Sequence, residues 1–128
     1  MKELFDVHCH MVPGVDDGAA DLEESLEMLK MQHEDGVRKI IITPHYRRRM
    51  FETPAKKVHE QFLKLQEAAK KEYPDMSLYL GCELHSNMDL QDILEKRKYV
   101  TMAGSSYVLL EFSEGDSAQH IRERVYNV

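Results

Sequence analysis

Four short apolar runs, separated by stretches in which hydrophobic residues recur every three or four positions, organise this chain. The runs are Leu4 to Val7, continuing into His8-Cys9-His10; Val37 to Thr43, continuing into Pro44-His45; Ser77 to Cys82, closing on Glu83; and Tyr107 to Phe112, which holds Glu111. The second run is β-branched and apolar on both faces, as a buried parallel strand requires. Between the runs the period changes. Leu22, Leu26 and Leu29 line one face of a helix predicted to begin at Asp21, with Asp21 and Glu24 spaced as a capping box and Gly36 as its stop. Val58, Phe62, Leu65 and Ala69 form the stripe of a second helix, opened by Thr53 as N-cap with Pro54 at the first helical position and ended by Tyr73-Pro74-Asp75. A short helix from Asp89 to Lys98 and a last one from Ser117 to Val128, with Ile121, Val125 and Val128 on one face, complete the pattern. Strand and helix alternating in this way predict an α/β fold with a parallel sheet.

The positions closing the strands carry the chemistry. In (β/α) enzymes the site lies at the strand C-termini, and here each of the four strands ends in a residue able to hold a metal. His8 and His10, at i and i+2, project from one face of a strand and can reach one ion. His45 follows Thr43-Pro44, where proline ends the regular strand. Glu83 and Glu111 each follow an apolar run, where an uncompensated carboxylate is costly to bury; a metal, an arginine or solvent must answer it, and for Glu111 a salt bridge is the competing arrangement. Asp16 and Asp17 lie in the Pro-Gly loop after the first strand, and for Asp16 a turn or cap serves as well as ligation. Imidazole and carboxylate ligands together suit Mn²⁺, Zn²⁺ or Fe, and more than four candidates point to two or more ions, which would activate water and neutralise a phosphoryl group. Arg47, Arg48 and Arg49 follow His45, and guanidinium groups fit phosphate oxygens; a solvated basic loop is the alternative. His33, His59 and His120 fall within helices and receive no role, and His85 is expected at the solvent.

Composition narrows the classes. With 42% hydrophobic and 31% charged residues among 128, the chain reads as one globular domain, and a net charge of −6 argues against nucleic-acid binding by charge alone. No apolar run approaches the roughly 20 residues of a spanning helix, and no signal peptide opens the chain. A cytoplasmic protein is therefore expected, with Cys9 and Cys82 as reduced packing residues. Four parallel strands do not close a barrel, which commonly takes about eight strands and ~250 residues. A small open sheet, completion by partner chains, or the N-terminal half of a longer protein would each answer this, and an open apolar edge favours self-association.

The run Asp6-Val7-His8-Cys9-His10, the loop Asp16-Asp17-Gly18, Thr43-Pro44-His45 and Leu110-Glu111-Phe112 together resemble the PHP (polymerase and histidinol phosphatase) superfamily. Arg47 through Pro54, and Asp16-Asp17-Gly18 followed by Glu23-Glu24-Ser25, resemble its bacterial tyrosine-protein phosphatases of capsular and exopolysaccharide operons. The resemblance implies that residues 1–128 are the N-terminal portion, about four βα units, of a distorted (β/α)7 barrel. It implies that His8 and His10 hold one ion with Glu83 bridging to a second, that Glu111 holds the second, and that Asp17 and His45 hold a third, usually with manganese. Arg47 and Arg48 are the candidates for phosphate. The implied reaction is hydrolysis of phosphotyrosine on a partner kinase controlling polysaccharide export. The family has about twice this length, and its second half supplies further histidines, an Asp-x-His pair and a phosphate-binding arginine. The chain by itself is thus expected to hold part of the metal shell. Another PHP phosphoesterase, acting on a histidinol-phosphate-like substrate, and a non-catalytic module completed by a partner are the alternatives.

Overall fold

The computed structural model describes residues 2–96 and 101–126. In chain order its elements are β1 (Leu4–Asp6), α1 (Leu22–Glu34), β2 (Val37–Ile42), β3 (His45–Tyr46), α2 (Ala55–Glu72), β4 (Ser77–Leu80), β5 (Glu83–His85), α3 (Leu90–Lys96), a 3-10 turn (Met102–Gly104), β6 (Leu109–Glu111) and α4 (Ala118–Tyr126). The strands form two three-stranded parallel sheets, β1-β2-β4 and β3-β5-β6.

The two sheets are successive levels of the same chain segments. β3 follows β2 after Thr43-Pro44, and β5 follows β4 after Gly81-Cys82. Proline brings no N–H to the ladder, so the regular pairing pauses at Pro44. Backbone bonds carry the connection across: Thr43 N–H to the Cys9 carbonyl (2.8 Å), Gly81 N–H to Ile42 (2.8 Å) and Glu83 N–H to Pro44 (2.9 Å). The four predicted runs are therefore neighbours in sequential order, but the second and third are each interrupted just below the site.

The helices bury the faces that their periodicity marks. Asp21 caps α1 by accepting the Glu24 N–H (2.9 Å), and Gly36, at φ +92°, turns the chain into β2 through the left-handed region that glycine enters without a Cβ penalty. Leu29 is fully buried, with Leu22 and Leu26 packed at the margin of the core. Val58, Phe62, Leu65 and Ala69 of α2 all face inward, against Ile40, Ile42 and Leu78 of the sheet. Val58, Phe62 and Leu65 each contribute about 1.5–3 kcal/mol through removal from water. A second cluster, Cys82, Leu84, Met88, Leu90 and Ile93, lies under the β5 level.

Three expectations are corrected. Pro54, not Thr53, is the N-cap of α2, and no side chain caps it; the Thr53 hydroxyl instead donates to the Val15 carbonyl (2.8 Å), tying the loop after β1 to the helix start. α4 buries none of its residues, and Val125 on its expected inner face is 53% exposed; Val128 lies outside the described residues, as do positions 97 and 98 at the expected end of α3. The first strand stops at Asp6, so His8 and His10 lie beyond it and not on one of its faces; β1 is an edge strand, with Leu4 and Phe5 more than half exposed. Among the described residues no helix is long and apolar enough to cross a membrane.

Candidate metal centre

Parallel register gathers the candidate ligands. His45 on β3 pairs with Glu83 on β5, and Glu111 on β6 stands two residues beyond Leu109, the partner of Glu83. Side chains two apart on a strand share a face, so Glu83 and Glu111 point the same way. His8 and His10 arrive from the segment after β1, next to β2.

Glu83 is the hub. Its side chain is 8% exposed. Oε1 contacts His8 Nε2 closely and lies 3.2 Å from His10 Nε2, while Oε2 lies 3.5 Å from His45 Nδ1. His45 reaches Glu111 Oε2 with Nδ1 (3.3 Å) and Asp17 Oδ1 with Nε2 (3.5 Å). The rings of His10 and His45 stack at 4.4 Å, and Phe51 lies nearly parallel to His45 at 5.1 Å. Among the described residues, three groups each place three possible ligand atoms within 4.8 Å of one another: His8, His10 and Glu83; His10, Asp17 and His45; His45, Glu83 and Glu111.

The cluster fits a divalent cation on its own geometry. His45 Nδ1 and Glu111 Oε2 are buried without a hydrogen-bond partner, an arrangement costing about 1–3 kcal/mol per group unless something satisfies it. Burial raises the Glu83 pKa, but the His8 bond and the His45 charge outweigh it and hold the carboxyl below its ordinary value, so it stands ready as an anionic ligand. Cys9 belongs to none of the three groups, and burial, then the charges of Asp6 and Asp16, push its thiol up to about 12.

Asp16 plays a different part from Asp17. Its side chain is fully buried. Oδ2 accepts from His10 Nδ1 (3.0 Å) and from the His45 backbone N–H (3.0 Å), while Oδ1 accepts the Gly18 N–H (2.9 Å). Burial raises the Asp16 pKa, and these hydrogen bonds more than reverse it; the same His10 contact raises the imidazole pKa against the effect of burial. Asp17 is exposed at 63% and faces His45. Gly18 backs directly on His10, where an added Cβ would meet the His10 carbonyl oxygen at 2.1 Å.

All six residues singled out as ligands converge. Of the two candidate arginines only Arg47 reaches the cluster. Arg47 Nη1 lies 3.9 Å from Glu111 Oε1, whereas Arg48 is exposed and lines a groove with Tyr46, Glu52, Met88 and Asp89. A tight turn separates them: Arg47 and Phe51 exchange backbone hydrogen bonds of 2.9 Å, and Arg49 takes a left-handed φ of 67°. His85, expected at the solvent, is 3% exposed; its Nδ1 accepts the Asn87 N–H (3.1 Å), so its Nε2–H is directed to the Ser113 hydroxyl (3.2 Å). His33 pairs with Asp75 outside the cluster. Sequence reasoning missed the clamp formed by Asp16 and the ring of Phe51 beside His45. The signal for the first was two adjacent aspartates before a glycine, which alone does not say which one turns inward.

Comparison with known proteins adds affiliation to geometry. The profile of the family described as "Capsular polysaccharide synthesis, CpsB/CapC" matches residues 4–128. The tyrosine-protein phosphatase CpsB of Streptococcus pneumoniae is 38% identical over 125 residues, 98% of this chain and 51% of its own length. The tyrosine-protein phosphatase YwqE of Bacillus subtilis (strain 168) is 28% identical over 98% of this chain and 49% of its own. A solved structure described as that of YwqE from Bacillus subtilis and CpsB from Streptococcus pneumoniae, "unique metal-dependent tyrosine phosphatases", superposes with a TM-score of 0.85 at 28% identity, covering 97% of this chain and 50% of that one. The chain spans about half the length of the curated relatives it matches. With the family profile running through every residue of the cluster, this chain belongs to the CpsB/CapC family of capsular polysaccharide synthesis.

Proposed function

We propose that this chain is the N-terminal half of a manganese-dependent protein-tyrosine phosphatase, whose complete form removes phosphate from phosphotyrosine on a partner kinase governing capsular polysaccharide synthesis. The observation that carries this reading is the convergence of His8, His10, Asp17, His45, Glu83 and Glu111 around a buried, unsatisfied imidazole–carboxylate pair. The names of the relatives support the substrate class. An imidazole and carboxylate set without thiolate suits Mn²⁺, with Zn²⁺ or Fe as substitutes.

The tautomers distribute the ligands. His10 Nδ1 is engaged by Asp16, which leaves Nε2 as its single ligating atom, beside His8 Nε2 and Glu83 Oε1. A neutral imidazole has one lone pair, so His45 would hold an ion with one ring nitrogen: Nε2 faces Asp17, and Nδ1 faces Glu83 and Glu111. Glu83 would share in holding an ion at His8 and His10 and a second one at Glu111. Bound cations of this kind polarise phosphoryl oxygens and make a water nucleophilic at neutral pH. Arg47, beside Glu111, is the group that grips and orients the phosphate of the substrate, and Arg48 meets the peptide at the outer rim. The free edges of β1 and β6 are the places where the remaining strands of a (β/α)7 barrel, or a second chain, would pair, bringing the ligands this half lacks.

The test is phosphate release from a phosphotyrosine peptide with Mn²⁺, by this chain and by the whole protein. Activity in the whole protein, and little in residues 1–128, is the expected result. A whole protein that binds Mn²⁺ but prefers histidinol phosphate, or releases nothing from phosphotyrosine, overturns the reading.

A further inference from the structure

We infer that Asp16 is a positioning residue that fixes the tautomer of His10 and sets His10 and His45 at their mutual spacing, without itself binding metal. The inference rests on the reading of the cluster as a metal centre, and it concerns a residue that belongs to none of the three ligand groups. One fully buried carboxylate holds three parts of the site: the His10 ring through Nδ1, the backbone of His45 at the start of β3, and the Gly18 N–H in the intervening loop. The segment after β1 and strand β3, each supplying a histidine, are thereby joined through a single side chain.

The chemistry follows from which atoms can donate. The His45 and Gly18 N–H groups both point at the carboxylate, and a carboxylate with two such donors is an acceptor. The contact to His10 at 3.0 Å therefore carries its proton on Nδ1, and the Nε2 lone pair is left facing Glu83 Oε1 at 3.2 Å. Without Asp16 the ring is free to turn or to carry its proton on Nε2, the atom needed for ligation. Outer-shell partners of this kind typically contribute 10- to 100-fold in metal affinity. Asp17, its exposed neighbour, is the ligand of the pair; adjacent aspartates divide between holding the ion and holding its histidine.

The experiment uses the whole protein with selectively ¹⁵N-labelled histidine, read by ¹H–¹⁵N correlation in the metal-free state at a pH above the titration of His10, together with Mn²⁺ titration calorimetry. The wild type is expected to show His10 as the Nδ1–H tautomer. Asp16→Ala is expected to lose that tautomer and to bind Mn²⁺ about 10- to 100-fold more weakly. Asp16→Asn, whose amide oxygen can keep the His10 and His45 bonds, is expected to retain the tautomer and lose less than Asp16→Ala. A wild-type His10 protonated on Nε2, or Mn²⁺ affinity unchanged within twofold in a folded Asp16→Ala protein, overturns the inference. Should Asp16→Ala fail to fold, the wild-type tautomer and the isosteric Asp16→Asn protein decide. Phosphatase activity tests the functional reading separately: an inactive protein with the expected His10 tautomer sinks that reading and leaves the clamp standing.

Discussion

Replacing Gly18 with alanine is the sharpest perturbation of the site that replaces no candidate ligand. A Cβ at this position would lie 2.1 Å from the His10 carbonyl oxygen, 2.5 Å from its Cβ and 2.9 Å from its carbonyl carbon, where ordinary contact is 3.4–4 Å. The φ of Gly18 is outside the left-handed region, so the penalty is steric and not one of backbone conformation. The atoms met are mostly backbone and cannot swing aside as a flexible side chain would. Relief needs the loop to withdraw from the strand end by roughly 1 Å or more. That movement stretches the Ala19 N–H to His10 carbonyl bond (3.0 Å) and the Gly18 N–H to Asp16 bond (2.9 Å). Overpacking costs about 1–3 kcal/mol and two weakened hydrogen bonds about 0.5–1.5 kcal/mol each, a loss of roughly 2–6 kcal/mol in all. The site should suffer with it, since His10 and its clamp move together: Mn²⁺ affinity is expected to fall about 10- to 100-fold, and a misplacement of about 1 Å can reduce turnover 100-fold. Urea unfolding and Mn²⁺ calorimetry on the whole protein measure both effects. Gly115→Ala, where an added Cβ meets nothing within 4 Å, is the matched control. A Gly18→Ala protein with wild-type stability and affinity would refute the close-approach argument.

Arg47→Ala should weaken phosphotyrosine-peptide turnover at least tenfold while leaving Mn²⁺ affinity unchanged, and Arg48→Ala should do less, since only Arg47 adjoins Glu111; steady-state kinetics with parallel calorimetry separates the two. Leu65→Ala, at a fully buried position of α2, should cost about 2–5 kcal/mol, seen as a lower urea midpoint. For the metal-free protein, the raised His10 pKa contributes stability that is complete below its ordinary 6.5 and lost as pH climbs through the raised value. The lowered Asp16 and Glu83 pKa values contribute stability present above their ordinary 3.8 and 4.5 and lost as pH falls through the depressed ones. Urea midpoints across pH should therefore peak between these limits, and added Mn²⁺, which needs His10 unprotonated, should extend the stable range upward; a metal-free midpoint that rises steadily through and beyond the His10 titration would contradict this.

The sequence by itself determined the strands, the helices and the kind of chemistry at the strand ends. Those features are local: a helix must show its core a stripe such as Val58, Phe62, Leu65 and Ala69, and a buried strand must be apolar until it reaches the rim where His45, Glu83 or Glu111 can be answered. Only the tertiary structure decided what depends on two segments meeting. The register of β3, β5 and β6 brought His45, Glu83 and Glu111 within reach of one another. The fold of the loop after β1 turned Asp16 inward and left Asp17 exposed, although the residues are chemically alike. The turn at Arg49 sent Arg47 toward Glu111 and Arg48 elsewhere. His85 found Ser113 across the β5–β6 pair and became a buried histidine, and α4 left Val125 of its apolar stripe exposed. Periodicity records what a side chain needs from its surroundings; which neighbour supplies it is fixed by hydrogen bonds and packing between residues far apart in the chain.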